Sequence, residues 1–288
     1  MEYTISNNFI SATIKDFGAE LCSLKRNAVN TEYIWQADEN FWGRHSPILF
    51  PIVGKLIDDE YIYENKTYRM GQHGFARDNI FKLHEKKKNY LCFKLEENEQ
   101  ILEKYPFNFE LYISYRLLEN SLKISYKVIN NSERVMPFSI GAHPAFNWPL
   151  DNERKNDCYF KFYDTEELER FPLRKNGISN NKEIIPLCDK KLYLNKKVFK
   201  NDALVIENLK EKTILFKNDI NDKFIRVEFE GFPYLGLWSK PSGAPFICIE
   251  PWHGIADFIG HNKKVEDKLG IKFLEKEGIF ETSYTITI

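Results

Sequence analysis

Three short segments of the sequence place titratable side chains among small or rigid neighbours. They contain His73 in GQHGFAR, His143 in GAHPAF and Glu250 in ICIEPWHG. Glycines on both sides of His73 permit unusual backbone angles and close approach of a ligand, which favours a loop that presents this imidazole; a histidine that only caps a turn is the alternative. The neighbours of His143 are too rigid and too small for a packed core strand. This imidazole is therefore a filler, a metal ligand or a proton donor held still.

The segment APFICIEPW predicts a strand with a carboxylate side chain at its end. Its apolar run, residues 246–249, is expected to form a strand that ends at Glu250. An apolar and aromatic neighbourhood raises the pKa of a carboxyl group, which is what a general base working near neutral pH requires. An exposed glutamate at a strand terminus is the alternative that the sequence leaves open.

Several other kinds of chemistry lack their sequence signals. His73, His143, His253 and Glu250 offer metal-binding atoms, but no HxH or HExxH pair starts a metal site, so we expect no metal and no cofactor. The sequence also has no GxSxG element and no glycine-rich phosphate loop. Acid–base catalysis by a histidine and a glutamate on a sugar-sized substrate remains, because imidazole gains and loses a proton near physiological pH.

The composition is that of a globular protein without a polyionic partner. In 288 residues, 41 Lys and Arg nearly balance 42 Asp and Glu, so no overall basic field favours nucleic acid or a membrane surface. The apolar runs are too short to cross a bilayer, and the acidic, polar start MEYTISNNF does not resemble a signal peptide. The five cysteines form no CxxC pair, and each is expected to be a small buried hydrophobe. These features predict a cytoplasmic protein.

Alternation of apolar and polar residues with a period of two runs through the chain and predicts antiparallel strands. It is clear in residues 111–117, 121–128, 224–231 and 283–288. Turn residues 64–66 predict one hairpin tip, and LLENSLKI predicts a second hairpin that joins the first two of these strands. Only TEELERF, residues 165–171, has a helical character, with Thr165 as its N-cap. The prediction is an all-β chain of one domain over residues 1–288, with two large antiparallel sheets packed face to face and few short helices.

Five motifs occur in order along the chain, namely FPIVGKL (50–56), QHGFAR (72–77), GAHPAFN (141–147), NDALVI (201–206) and IEPWHG (249–254). With this set the chain resembles the aldose 1-epimerase (galactose mutarotase-like) family over nearly its whole length. The resemblance implies an antiparallel β-supersandwich with an open cleft across one sheet. It also implies a small-molecule sugar substrate, an aldohexose whose α and β anomers are interconverted by ring opening.

The resemblance further implies roles for individual residues. Glu250 matches the general base that takes the proton of the C1 hydroxyl, and His143 matches the general acid that protonates the ring oxygen. His73 matches the histidine that binds the substrate and steadies charge at the ring oxygen. Asp202 matches an acidic residue that hydrogen-bonds sugar hydroxyls, and Trp238 is either a stacking platform for the sugar or a core residue.

The chain departs from typical galactose mutarotases, and these departures leave the identity of the sugar open. Gly54 and Lys55 replace an Asn-Arg pair, and HGFAR replaces a histidine-glycine-glycine run. The changes resemble the hexose-6-phosphate mutarotase branch. There Arg44, Lys55 and Arg77 would form a phosphate-binding cluster, because guanidinium groups suit phosphate oxygens.

Two other functions stay open at the level of sequence. One is a non-catalytic sugar-binding protein on the same fold, since fold does not determine function, although binding alone needs no matched acid and base. The other is a glycoside hydrolase built on Asp202 and Glu250, which would need its two carboxyl groups on either side of a glycosidic oxygen. The sequence is compatible with a monomer and with a homodimer.

Overall fold

The computed structural model describes residues 1–150, 154–195 and 197–288, and it consists mainly of β-sheet. About 48% of it is strand and 6% is helix, which confirms the predicted all-β class. The short helix α1 (Glu99–Lys104) begins after Asn98, whose side chain accepts a hydrogen bond from the Ile101 N–H and so satisfies a donor of the first turn. Single turns of 3-10 helix cover Ile57–Asp59, Ala76–Asp78, Lys155–Asp157 and Val265–Asp267. No helix in the described ranges has the length and apolarity that a bilayer crossing requires.

The strands of the first half of the chain contain both predicted hairpins. The turn between the strands Glu60–Tyr63 and Lys66–Arg69 places Glu64 and Asn65 at φ 47° and 60°, the left-handed pair that a two-residue hairpin requires. In chain order these strands are β1 (Glu2–Ser6), β2 (Ile10–Lys15), β3 (Glu20–Arg26), β4 (Thr31–Glu32), β5 (Ile48–Leu49), β6 (Glu60–Tyr63), β7 (Lys66–Arg69), β8 (Lys82–Lys87), β9 (Tyr90–Glu96), β10 (Phe109–Leu118), β11 (Ser121–Asn130), β12 (Met136–Phe138), β13 (Gly141–Ala142) and β14 (Ala145–Asn147).

The strands of the second half complete two nine-stranded sheets. They are β15 (Tyr159–Lys161), β16 (Glu167–Arg174), β17 (Gly177–Ile178), β18 (Glu183–Pro186), β19 (Lys191–Tyr193), β20 (Leu204–Glu207), β21 (Thr213–Lys217), β22 (Phe224–Glu228), β23 (Tyr234–Trp238), β24 (Phe246–Trp252), β25 (Lys272–Leu274) and β26 (Ile279–Thr287).

Two large antiparallel sheets form the body of the structure. The back sheet has the order β19-β15-β21-β22-β26-β11-β10-β9-β8. The front sheet has the order β17-β16-β20-β23-β24-β13-β5, with β14 also paired to β24 and β18 to β16. Smaller sheets comprise β1 to β4, the β6–β7 hairpin and the β12–β25 pair. Strands distant in sequence, such as β11 and β26, lie side by side, so the sheet order was not readable from the sequence.

The hydrophobic core lies between the inner faces of the front and back sheets. On β10 every second residue, from Phe109 to Leu117, is buried, and the residues between them are at least partly accessible. Ile247 and Ile249 of the front sheet belong to the same buried cluster as these side chains. One dry and one wet face explain the alternation in the sequence.

Most cysteines are buried, as expected. Cys22, Cys92, Cys158 and Cys248 are buried, whereas Cys188 is exposed. Cys188 lies in the turn before β19, which is an edge strand of the back sheet. The prediction for this one cysteine is therefore wrong, because a turn at a sheet edge has nothing packed over it.

The segment TEELERF is not helical, so the predicted turn with Thr165 as N-cap is wrong. Residues 167–174 form β16, which pairs with both β18 and β20. Leu168 and Phe171 are buried by this pairing. Helix propensity is a weak preference, and the hydrogen bonds and burial of a paired strand outweigh it here.

The segment around His143 belongs to the buried front sheet, contrary to expectation. β13 and β14 both pair with β24, and residues 136–146 are all buried. The small residues make room for a large neighbour, since a Cβ on Gly141 would lie 2.6 Å from Cδ1 of Trp252. Small side chains therefore allow this segment to pack beside an indole in the core.

His253 predicts a pH dependence of stability. Burial lowers its pKa to about 3, and the charge of Lys272 acts in the same direction, whereas an unfolded chain has a histidine pKa of about 6.5. Between these values the unfolded chain binds a proton that the folded chain does not. The unfolding free energy should therefore fall as the pH decreases through this window, by up to about 1.4 kcal/mol per pH unit from this group. Urea unfolding between about pH 7 and pH 5 should show a shallower slope for His253→Gln.

The matched control for this experiment removes the hydrogen-bond partner of His253 and keeps the imidazole. Thr282 Oγ1 lies 3.1 Å from His253 Nε2, and Thr282→Val should keep the wild-type pH slope. Equal slopes for the wild type and His253→Gln would contradict the assignment.

Candidate active site

Strand β24 carries its side chains alternately to the core and to the opposite face of the front sheet. Ile247 and Ile249 point into the main core, so Cys248 and Glu250 lie on the opposite face. β24 continues to Trp252, and all of its residues are buried. The expectation that the strand ends at Glu250 is therefore wrong. Strands that are covered on both faces are usually apolar throughout, but β24 has a carboxyl group in its interior.

The strands beside β24 bring His143 against Glu250. Gly141 pairs with Trp252 and Ala145 with Cys248, so the peptide that carries His143 runs antiparallel to β24. Nε2 of His143 lies 3.2 Å from Oε2 of Glu250, with side chains only 10% and 1% exposed. The contact lacks hydrogen-bond alignment, and within the described residues neither oxygen of Glu250 has a hydrogen-bond partner. Loose geometry of this kind is common in catalytic pairs that have no substrate between them.

Burial favours the uncharged form of both members of this pair. It raises the pKa of Glu250 well above its usual value, and the negative charge of Asp202 adds to the effect while the Trp252 indole opposes it. Burial lowers the pKa of His143 to about 3, and the positive charges of Arg77 and Arg44 act in the same direction. Both shifts favour a pair that carries one proton, with that proton on the carboxyl group rather than on the imidazole.

His73 is held in one tautomer beside the pair. Its Nδ1 accepts a hydrogen bond of 3.1 Å from the Gly54 N–H, so the neutral ring carries its proton on Nε2. Burial lowers the pKa of His73 well below its usual value, and the charges of His143, Arg77 and Arg44 add to this effect. The rings of His73 and His143 meet edge to face at 5.6 Å. A neutral imidazole with an Nε2–H is a hydrogen-bond donor, and the Gln72 amide lies 3.1 Å from this nitrogen.

Two glycines make the His73 loop possible. Gly74 has φ 71°, and a Cβ there would lie 2.2 Å from the Phe50 carbonyl oxygen. Gly54 has φ 77°, and a Cβ there would lie 2.4 Å from the Ala256 N. His73 itself has φ 68°, a conformation that costs energy for a residue with a side chain and that is typical of functional sites. The predicted presented loop therefore exists, although its histidine is buried.

A cleft of about 950 Å³ lies on this face of the front sheet and is large enough for a hexose. It is lined by most of the predicted site residues, namely His73, His143, Asp202, Glu250, Lys55, Arg77 and Trp238. Arg44 does not belong to the lining. Its guanidinium lies 2.7 Å from the Asp78 carboxylate, and it acts on the histidines only through its charge.

Asp202 lies in the loop before β20 and is oriented by its own backbone. Its φ is 73°, and its Oδ1 accepts a hydrogen bond of 2.9 Å from the Ala203 N–H. The side chain is exposed, and its charge reaches Glu250, whose pKa it helps to raise. This position agrees with a residue that hydrogen-bonds a ligand rather than one that transfers protons at the buried pair.

Aromatic rings form a wall beside His143. Trp42 stacks on the His143 ring with centroids 4.9 Å apart, and Trp238 meets both rings edge to face. The Trp42 carbonyl accepts a hydrogen bond from the Trp35 indole, which holds this loop in place. Trp238 is partly exposed and faces the cleft. Trp148, in contrast, is buried in the main core.

The sequence analysis missed several lining residues. Trp42, Gln72 and Trp252 line the cleft, and the Gln72 amide lies 3.1 Å from His73 Nε2. Gln72 and Trp252 stand inside recognised motifs, where their proximity to His73 and Glu250 was a usable signal. No signal in the sequence pointed to Trp42, which reaches the site from a loop 101 residues before His143 in the chain.

The cleft is basic although the chain as a whole has a net charge of −1. Its described lining has two carboxylates and six basic side chains, which are Lys55, Arg77, Arg174, Lys175, Lys200 and Lys240. Four of the six have protein partners: Arg77 bonds to the Gln72 carbonyl and Lys240 to the Phe41 carbonyl, while Lys55 and Arg174 lie beside carboxylates. Lys175 and Lys200 are exposed, and their ammonium groups make no hydrogen bond or ion pair with the described residues.

Comparison with known proteins agrees with this geometry. The family model described as aldose 1-epimerase matches residues 1–266. Protein LacX of Lactococcus lactis subsp. lactis is 33% identical, with 100% of this chain and 99% of that protein covered.

Solved structures extend the comparison to the fold. The galactose mutarotase related enzyme from Lactobacillus acidophilus is 39% identical with a TM-score of 0.96, covering 100% of this chain and 97% of that one. A galactose mutarotase-like protein from Lactobacillus casei is 33% identical with a TM-score of 0.91, covering 100% and 99% of the two chains. These likenesses confirm the predicted supersandwich fold. Together with the family match, they show that this chain belongs to the aldose 1-epimerase family.

Proposed function

We propose that the protein is an aldose 1-epimerase, which interconverts the α and β anomers of an aldohexose by acid–base ring opening. The observation that carries this proposal is the contact of 3.2 Å between the buried His143 imidazole and the buried Glu250 carboxylate. The C1 hydroxyl oxygen and the ring oxygen of a pyranose are bonded to the same carbon. A base and an acid that act on these two oxygens together must therefore lie next to each other.

Ring opening uses the charged form of the pair. The Glu250 carboxylate takes the proton of the C1 hydroxyl, and the electrons of that O–H bond form the carbonyl. The bond between C1 and the ring oxygen breaks, and the protonated His143 gives its proton to that oxygen. Rotation about the C1–C2 bond followed by the reverse steps closes the ring as the other anomer.

Burial assists this cycle because ring opening neutralises the pair. The charged pair becomes a neutral imidazole and a protonated carboxyl group, the forms that burial favours in this structure. Ring closure starts from these neutral forms and restores the charged pair. Nε2 and Oε2 are 3.2 Å apart, so a small reorientation that aligns them would let one proton move between the two groups and supply either form.

The remaining residues of the cleft position the sugar. The Nε2–H of His73 donates to the ring oxygen and stabilises the charge that develops there, and the tautomer set by the Gly54 N–H supports this role. Asp202 accepts hydrogen bonds from hydroxyl groups, and Trp42 and Trp238 offer apolar faces to the C–H face of the sugar.

The alternative functions explain the site less well. A glycoside hydrolase needs two carboxyl groups on either side of a glycosidic oxygen. The second carboxyl group of the cleft's described lining, that of Asp202, is exposed and bonded to its own backbone, whereas the group in contact with Glu250 is an imidazole. A protein that only binds sugar gains nothing from a buried, unsatisfied carboxylate, whose burial costs free energy. Both functions predict no enhancement of anomer exchange.

Replacing the base tests the proposal directly. Glu250→Gln keeps the shape of the side chain and removes its proton-accepting oxygen, so the rate of anomer exchange should fall by at least about 10²-fold. Saturation-transfer NMR on a panel of free and 6-phosphorylated aldoses measures this rate above the spontaneous exchange. Glu228→Gln, an exposed change on the back sheet, is the control that should keep the wild-type rate. A wild-type protein that does not accelerate anomer exchange of any of these sugars would contradict the proposal.

The single proton of the His143–Glu250 pair predicts an unusual acid limb in the pH dependence of kcat/KM. The active pair carries one proton, and it gains a second only when His143 is protonated in the presence of a protonated Glu250. The pKa of His143 is lowered to about 3, so kcat/KM should not decrease between about pH 6.5 and pH 5, where an ordinary histidine would titrate. An acid limb with an apparent pKa near 6.5 would contradict the shared-proton mechanism, provided that circular dichroism shows a folded protein at both values.

A phosphorylated aldohexose is the second candidate substrate, and the basic cleft favours it. Lys175 follows β16 and Lys200 precedes β20, and both ammonium groups are exposed and without a carboxylate partner among the described residues. These two residues, the rim lysines, form a basic rim that no carboxylate in the described ranges neutralises, and such a rim favours an anionic ligand. A phosphate group on the substrate would use these two cations, in addition to the predicted Lys55 and Arg77.

A double variant separates the two candidate substrates. Lys175→Gln/Lys200→Gln should raise KM about tenfold for an aldohexose 6-phosphate, because two charge-assisted contacts are lost, and should leave KM for the plain sugar unchanged. Lys86→Gln/Lys88→Gln removes the same charge at the edge of the back sheet and serves as the control. Equal effects on both sugars would rule out a phosphate contact at this rim.

A further inference from the structure

The acid–base pair has a third neighbour that the proposed reaction does not use. Cys248 is fully buried, and its Sγ, a nitrogen of His143 and an oxygen of Glu250 all lie within 4.8 Å of one another. His143 is 8% exposed and Glu250 is 1% exposed. A thiol, an imidazole and a carboxyl group therefore converge at one point of the front sheet.

The sheet itself enforces this convergence. Cys248 and Glu250 are two residues apart on β24, so their side chains leave the same face of the strand. His143 lies between β13, whose Gly141 pairs with Trp252, and β14, whose Ala145 pairs with Cys248. Two of the three side chains are thus on β24 itself, and the third is on the two-residue link between two strands that both pair with β24.

The three donor atoms are those that zinc prefers. Zn²⁺ binds Cys sulfur, His nitrogen and carboxylate oxygen at about 2.0–2.3 Å, which places tetrahedral ligands about 3.5 Å apart. The imidazole and the carboxylate are already 3.2 Å apart. Both oxygens of Glu250 and Nδ1 of His143 are buried without a hydrogen-bond partner in the described part of the chain. A small shift of the Cys248 side chain completes a three-ligand set.

We propose that this centre binds Zn²⁺ through His143, Cys248 and Glu250, and that the bound ion inhibits the enzyme. His143 and Glu250 line the cleft and Cys248 does not, so the fourth coordination position faces the cleft. Binding displaces the thiol proton and the proton of the pair to solvent, and no atom is oxidised or reduced. An ion that holds the imidazole and the carboxylate prevents both proton transfers. The inhibition rests on the proposed function, whereas the binding does not.

Substitution with Co²⁺ tests the binding without any assay of activity. Tetrahedral Co²⁺ with a thiolate ligand has a sulfur-to-cobalt charge-transfer band in the near ultraviolet. We expect this band in the wild-type protein with one Co²⁺ per chain, and its loss when Zn²⁺ is added. Cys248→Ser should abolish the band and weaken Zn²⁺ binding in calorimetry at least about tenfold, since the soft ligand is lost.

The exposed cysteine provides the matched control. Cys188 is the exposed member of the five cysteines, so Cys188→Ser should keep the band and the affinity. Loss of the band in Cys188→Ser, or its persistence in Cys248→Ser, would overturn the assignment, as would the absence of a band in the wild type. If Cys248→Ser does not fold, His143→Asn serves instead, because it should keep the thiolate band but weaken Zn²⁺ binding about tenfold.

The two proposals fail in different ways. Zn²⁺ should lower the rate of anomer exchange of the wild type to the spontaneous rate. For Cys248→Ser, the Zn²⁺ concentration that halves the rate measured without metal should be at least about tenfold higher than for the wild type. A cobalt band in a protein that never accelerates exchange would contradict the mutarotase function and support the metal site. Exchange that continues with Zn²⁺ bound in stoichiometric amount would contradict the inhibition.

Discussion

The structure depends on the burial of one carboxyl group, that of Glu250, in the middle of an otherwise apolar strand. A buried carboxylate without a partner is strongly unfavourable, and the usual outcome is a shift in pKa or a paired charge. Here the front sheet places the His143 imidazole 3.2 Å away, and burial favours the uncharged form of both groups. The antiparallel pairing of β24 with β13 and β14 therefore holds the imidazole and the carboxyl group close together, as the proposed proton transfers require.

The same burial explains why this site suits a reaction that moves protons and creates no lasting charge. The opening of a pyranose ring takes one proton and gives one, so its two stages match the charged and neutral forms of a single pair. In the proposed mechanism, His73, Arg77 and the indole rings that line the cleft do not transfer protons. Their proposed part is to orient the ligand, add positive potential and exclude water, which strengthens each electrostatic interaction inside the cleft.

Local patterns predicted some elements well and others badly. The alternation in residues 111–128 predicted a hairpin because each strand has one buried face, and the structure confirms the antiparallel pairing of these two strands. The residues of TEELERF predicted a helical turn, yet they form β16, since pairing with two neighbours outweighs local preference. Glu250 was expected at a strand end, because no local pattern reveals that β24 is covered on both faces. The single domain, the cytoplasmic location and the oligomeric state stay predictions.

The sequence by itself determined the all-β class, the family and most residues of the candidate site, because alternation and motifs are local properties of the chain. Tertiary structure alone decided which of those residues meet. It joined His143 to Glu250 across 107 positions of sequence, added Trp42 and the rim lysines to the cleft, and left Arg44 outside its lining. It also placed Cys248 beside the pair. The physical reason is that sheet order and burial set distances between side chains and shift their pKa values, and both arise only when distant strands pair and exclude water.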